Sequence, residues 1–251
     1  MTDYAGISTS LEEALKLRLP PIAVCFCDDV PSGISAHAGT VPAGCVFWQH
    51  AAGGAFATST SDHELCAVGV YTHNLANPSP RHAGELGSVL QVMAGMEYVR
   101  SEDVAAIAVR KTPTKHVVYA PLKATPLPPD VVLLFADSRQ GLVIAEAVQQ
   151  VDPQVPPAFG RPACAVVPQA VNSNYAAMSL GCCGARAYLD ALTDDTALWA
   201  FPGAKMAHYA ERIAKLATAN RVLGRFHELR RADVEAGSAP SYAESLARLK
   251  R

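Results

Sequence analysis

Seven cysteines are the residues of this chain best suited to chemistry, and four of them lie beside glycine at the ends of apolar segments. Cys45 follows Gly44, Cys66 precedes Gly69 by three positions, and Cys182 and Cys183 sit between Gly181 and Gly184. Glycine lets the backbone approach a bulky ligand and frees N–H groups to point at it. A thiol at the start of a helix is also easier to ionise. Soft thiolates suit iron–sulfur clusters, zinc or copper(I). Cys25 and Cys27 differ, because they alternate along an apolar run and share one face of a strand, as small core residues do. Cys164, in another apolar run, reads the same way.

Three further residue types surround these thiols. His63, three residues before Cys66, completes a Cys₃His set that zinc would accept, with His50 and His73 as alternates. Arg186, two residues after Gly184, either clamps an anionic group beside the site or pairs with Asp190 one turn on. Trp48 is a candidate pocket wall, although core aromatics are commoner. No G-x-S-x-G, Walker A, HExxH or G-x-G-x-x-G pattern occurs, so serine hydrolysis and nucleotide hydrolysis have no support.

The elements that must position these side chains follow from periodicity and punctuation. Ser10 and Glu13 form a capping-box pair, which predicts a short helix to about Leu17, ended by Pro20-Pro21. Ile22–Cys27 is of strand length, and 28–44 reads as a loop. Cys45–His50 and the small residues after it suggest a closely packed helix. Strands are expected at Phe56–Ser59, 117–120, 131–136, 163–167 and 197–201. Helices are expected over 83–98, from a Ser138 cap to about Gln150, and from about 204 to 234. A last short helix opens at Ser241 with Glu244. Strands alternating with helices predict an α/β fold: a layered mixed sheet with flanking helices and a long C-terminal helix. Residues 1–203 form the core domain in this reading. Residues 204–251 form a helical extension, seated on the core or used as a homodimer seam.

One repeat stands out. Leu19-Pro20-Pro21 leads into IAVCFCDD, and Leu127-Pro128-Pro129 leads into DVVLLFAD. Each apolar run is followed at some distance by a Cys-and-Gly segment, which suggests a duplicated βα core.

Composition narrows the class. Half of the 251 residues are hydrophobic and 18% are charged, so a sizeable core is expected rather than disorder. A formal charge of −2 gives no basic field for nucleic acid. The N-terminal residues lack a signal-peptide pattern, and no apolar run is long enough to span a bilayer. Seven cysteines in so long a chain fit reduced thiols in the cytoplasm better than a secreted disulfide scaffold.

The segments LPPIAVCF, GCVFWQHAAGG, DHELCAVG, YAPLKATPLPPDVVLLF and LGCCGARAY resemble the family known as domain of unknown function 169, over about Leu11 to Pro202. The resemblance points to Cys45, Cys66 and Cys182 as the site residues, with Cys183 in a variable slot, and implies no settled activity. Ala67 stands where that family often has proline. Three thiolates meeting from three segments suggest a 4Fe–4S cluster with one iron open to a small-molecule ligand. Zinc on the same residues, with His63, is the alternative.

Overall fold

The computed structural model describes residues 2–249. In chain order the elements are α1 (Tyr4–Leu15), β1 (Ile22–Cys27), α2 (Val46–His50), β2 (Phe56–Ser59), α3 (Ala67–His73), α4 (Pro80–Gly95), α5 (Ser101–Ala105) and β3 (His116–Pro121). They continue as β4 (Val131–Asp137), α6 (Ser138–Val151), β5 (Ala158–Phe159), α7 (Val166–Ser173), β6 (Ala177–Ser179), α8 (Cys183–Tyr188), β7 (Thr196–Pro202), α9 (Met206–Glu235) and α10 (Tyr242–Leu249). The seven strands form one mixed sheet in the order β2-β3-β1-β4-β7-β6-β5, antiparallel except for the β5–β6 pair.

The sheet is two copies of one pattern. In each half the leading strand (β1 or β4) pairs with the half's last strand (β3 or β7), which pairs with its middle strand (β2 or β6). The registers agree: Ile22 opposes Pro121 as Val131 opposes Pro202, and Phe56 opposes Tyr119 as Ala177 opposes Ala200. The edge agrees too, since Ala36 bridges Ala57 in parallel as β5 pairs with β6. Where the halves meet, β1 and β4 run antiparallel with Ala23 opposite Val132. These two occupy equivalent positions, so a pseudo-two-fold axis passes between them. The repeated Pro-Pro-strand segments are its trace in the sequence.

Alternation along the strands divides the core into two layers. Ile22, Val24, Tyr119, Leu133 and Ala200 face one layer with Phe47, Trp48 and Val166. Ala23, Cys25, Val132, Leu134 and Phe201 face the other, covered by α1, α6 and α9. A two-fold axis normal to a sheet exchanges its halves without exchanging its faces. Both copies of the α2 and α3 segments (α2, α3, then α7, α8) therefore belong to the first layer.

Three expectations need correction. α1 starts at Asp3, whose carboxylate accepts the Gly6 N–H at 2.8 Å, and Ser10 and Glu13 lie inside it. The earlier cap wins because it satisfies an N–H that the helix leaves free. The 163–167 run is a 3-10 turn leading into α7, not a strand. A short, wholly buried apolar run carries no period that separates strand from helix, and Pro168 is tolerated in a helix's first turn. Asp137, rather than Ser138, caps α6 by accepting the Gln140 N–H at 2.8 Å.

The last two helices match their expected positions. Met206, Tyr209, Ile213 and Ala217 of α9 are buried against α1 and α6, so the core takes the first half of this helix. Among the described residues no helix is long and apolar enough to cross a membrane.

Candidate functional site

The duplicated topology explains how cysteines far apart in sequence reach one place. Cys45 directly precedes α2, the helical segment that leads into β2. Cys66 directly precedes α3, which follows β2. In the second half Cys164 lies in the turn Ala163–Ala165 leading into α7 and β6, and Cys182 directly precedes α8, which follows β6. Cys45 is thus the counterpart of Cys164, and Cys66 of Cys182. All four lie in the layer above the axis, and each sulfur is within the electrostatic reach of the other three. All seven cysteines of the chain are free thiols.

The centre resists ionisation. Burial, and then Cys66 and Cys182, push the Cys45 thiol up to about 12. Burial pushes Cys66 up, the backbone N–H groups of Gly44 and Gly69 draw it back, and Cys182 raises it again. Cys164 is raised further, by burial first and by Cys66 next. No lysine or arginine is among the groups that offset these shifts. Left to themselves the Cys45, Cys66 and Cys164 thiols stay protonated, and an added positive charge is what would favour their thiolates.

Four buried polar atoms on this side of the sheet lack a hydrogen-bond partner: Trp48 Nε1, His73 Nε2, His63 Nδ1 and the Tyr119 hydroxyl. Tyr119 lies on β3 within the field of Cys66, Cys164 and Cys45, and burial and these thiols raise its pKa. His63 is fully buried, and burial lowers its pKa to about 3, so it is neutral. Its Nε2 lies 3.3 Å from Thr58 Oγ1, which donates its own proton to Val117 O. With the Thr58 proton on Val117 O, the tautomer protonated at Nε2 completes that contact and leaves an unshared pair on Nδ1. A Cβ on Gly44 would lie 2.6 Å from that nitrogen and 3.6 Å from Cys66 Sγ. A Cβ on Gly69 would lie 2.9 Å from Cys66 Sγ. Both glycines are therefore held by close approach, and His63 Nδ1 sits beside the Cys66 thiol.

The remaining candidates lie as follows. Cys183 is exposed at the start of α8. Arg186, at the end of α8, donates to the carbonyls of Thr193, Leu180 and Thr196 and lies 3.7 Å from Asp194, so it ties the loop after Cys182 together. Its acidic neighbour is Asp194, not Asp190. His50 pairs with His37 at 2.9 Å on the outer side of α2. His73 is buried, with Nδ1 donating to Gly69 O at 2.9 Å. Trp48 is fully buried in the core. Cys25 lies in the opposite layer, as a core residue.

Cys164 and Tyr119 are the members that sequence reading did not single out. The signal for Cys164 was its place in the second repeat, visible only once the repeat is aligned through the strands. Among the described residues no group of three or more His, Cys, Asp or Glu side chains is arranged, as it stands, to hold a metal ion.

Fold and site together define a duplicated α/β protein with a partly buried thiol centre about its pseudo-two-fold axis. A family model matches residues 10–212, and the chain belongs to that family, described as Uncharacterised ArCR, domain of unknown function 169. No curated protein and no solved structure matches the chain.

Proposed function

We propose that this is an intracellular iron–sulfur protein that holds a 4Fe–4S cluster on the thiolates of Cys45, Cys66 and Cys182. The observation that carries the reading is the arrival of these three thiols, Cys45 buried and Cys66 and Cys182 half-buried, from separate segments on one side of the sheet, each within the field of the others. The donor set is soft and free of competing carboxylates, as iron–sulfur ligation favours. Bound iron supplies positive charge, which would hold Cys45 and Cys66 as thiolates although burial raises both thiols. Gly44 and Gly69 keep the wall around Cys66 free of side chains, and their N–H groups favour its charged form.

Zinc on the same residues is the rival reading. Zinc would be held by the same three thiolates at about 2.3 Å, with His63 as its fourth ligand. The free thiols suit a reducing compartment such as the cytoplasm. On three thiolates one iron would be open to a small-molecule donor.

The test is the iron, acid-labile sulfide and zinc content of protein purified without oxygen, with Cys45, Cys66 and Cys182 each replaced by Ser. Brown protein with about 4 Fe per chain, lowered in each variant, is expected. Colourless protein with one zinc per chain that melts on chelation would replace this reading with the zinc one. Protein free of both metals would remove it.

A further inference from the structure

Cys164 is the one thiol of the centre that the three-cysteine reading leaves without a task. Its position follows from the duplication, because it opens the helical segment before β6 as Cys45 opens the one before β2. Both are buried in the same core layer, with Cys182 packed against it. The turn bearing Cys164 packs against α3, the helix that Cys66 precedes, so the halves interlock through these two segments. Thr72 of α3 joins them directly: its Oγ1 lies 3.5 Å from Cys164 Sγ and 3.3 Å from Gly69 O. The single hydroxyl proton satisfies the carbonyl when the sulfur is a neutral thiol and can turn to the sulfur when that is a thiolate.

The rivals for a fourth ligand are placed less well. Cys183 is exposed. His63 belongs to the first half only, in the stretch between Ser59 and Cys66, whereas just Leu180 and Gly181 separate Ser179 from Cys182. A two-fold-related set of four donors is complete with cysteines alone.

We infer that Cys164 supplies the fourth thiolate, so that the cluster is ligated by two symmetry-related pairs, Cys45 with Cys164 and Cys66 with Cys182. This rests on the iron–sulfur reading above and changes its consequence. With four protein thiolates no iron is open, and the centre does not bind a small molecule through iron. His63 Nδ1 then remains the unpaired acceptor beside Cys66.

Oxygen-free wild-type protein, Cys164→Ala and Cys183→Ala are compared for iron and sulfide. The paramagnetic resonance spectrum of each, reduced with dithionite, is recorded with and without cyanide, a probe that binds only an open iron. The wild-type and Cys183→Ala spectra are expected to be insensitive to cyanide. Cys164→Ala is expected to fall towards 3 Fe per chain, or to keep about 4 Fe and gain a cyanide-dependent spectrum. A wild-type spectrum that shifts with cyanide, or a Cys164→Ala protein that matches wild type in both readouts, would overturn the inference while leaving an iron–sulfur protein. Wild-type protein without iron defeats the parent reading and this one together. If Cys164→Ala does not fold, as judged by circular dichroism, the cyanide test on wild-type protein still decides.

Discussion

Ala23 of β1 stands opposite Val132 of β4, at the point where the two halves of the sheet exchange. Both side chains enter the layer covered by α1, α6 and α9, so the thiols collect on the opposite face. The pairing is a small contact with a large consequence. It fixes the register of the halves, and a slip of one residue would turn each strand's inward set outward.

Substitution of Gly44 or Gly69 by alanine is expected to disturb the centre without altering a donor atom. The added carbon of Gly44→Ala meets the His63 ring, and that of Gly69→Ala meets Cys66 Sγ, at distances that force a shift. A loss of about 1–3 kcal/mol is expected in urea unfolding, as for other overpacked interiors. Gly53→Ala has nothing within 4 Å and should change stability by less than about 0.5 kcal/mol.

His73 makes metal-free protein sensitive to acid. Burial lowers its pKa to about 4, against the ordinary value of 6.5, with Arg110 adding to the shift and the Gly69 carbonyl opposing it. Below pH 6.5 the unfolded chain binds a proton here that the folded chain does not. The contribution is therefore complete above pH 6.5 and is lost as pH falls from there towards 4. The slope is about 1.4 kcal/mol per pH unit for this one group. Urea midpoints measured between pH 4.5 and 7.5 should show that slope flatten in His73→Gln. An unchanged slope would refute the assignment.

Asp152, just beyond α6, accepts Lys205 Nζ at 2.7 Å and the Tyr209 hydroxyl, joining α6 to the start of α9. Its side chain is 9% exposed and that of Lys205 is 24% exposed, so this pair is shielded from water. Asp152→Ala is expected to cost about 2–3 kcal/mol in urea unfolding, since it leaves a half-buried cation and a hydroxyl unpaired. Arg212→Ala, at a site with no comparable pair, serves as the control and should cost under about 0.5 kcal/mol.

Truncation separates the two halves of α9. A chain ending at Pro202 loses Met206, Tyr209, Ile213 and Ala217 from the core and is expected not to fold. A chain ending at Leu223 keeps these contacts and should retain a cooperative thermal transition by circular dichroism. A folded Pro202 truncation would show that residues 204–251 are dispensable to the core.

Much of this layout is legible one segment at a time. β1, β4 and β7 announce themselves as apolar runs, and α9 as an amphipathic stripe, because burial selects side chains at the local period. Cys45, Cys66, Cys182 and Cys183 stand out by their glycine neighbours, and the family resemblance narrows them to the first three. Cys164 does not stand out, because its run 163–167 is buried on all sides and carries no period. The Ser10 cap failed for a related reason: it is a valid local pattern, but Asp3 starts the helix earlier.

The sequence by itself determined most of the element types, the apolar core and a repeat of prolines leading into strands. Only the tertiary structure decided which cysteines meet. Convergence depends on the pairing of β1 with β4 and on an axis that keeps both halves' helices on one face, and strand pairing joins residues more than a hundred positions apart. No local pattern records such a contact, because the energy that selects it appears only when the two surfaces are brought together.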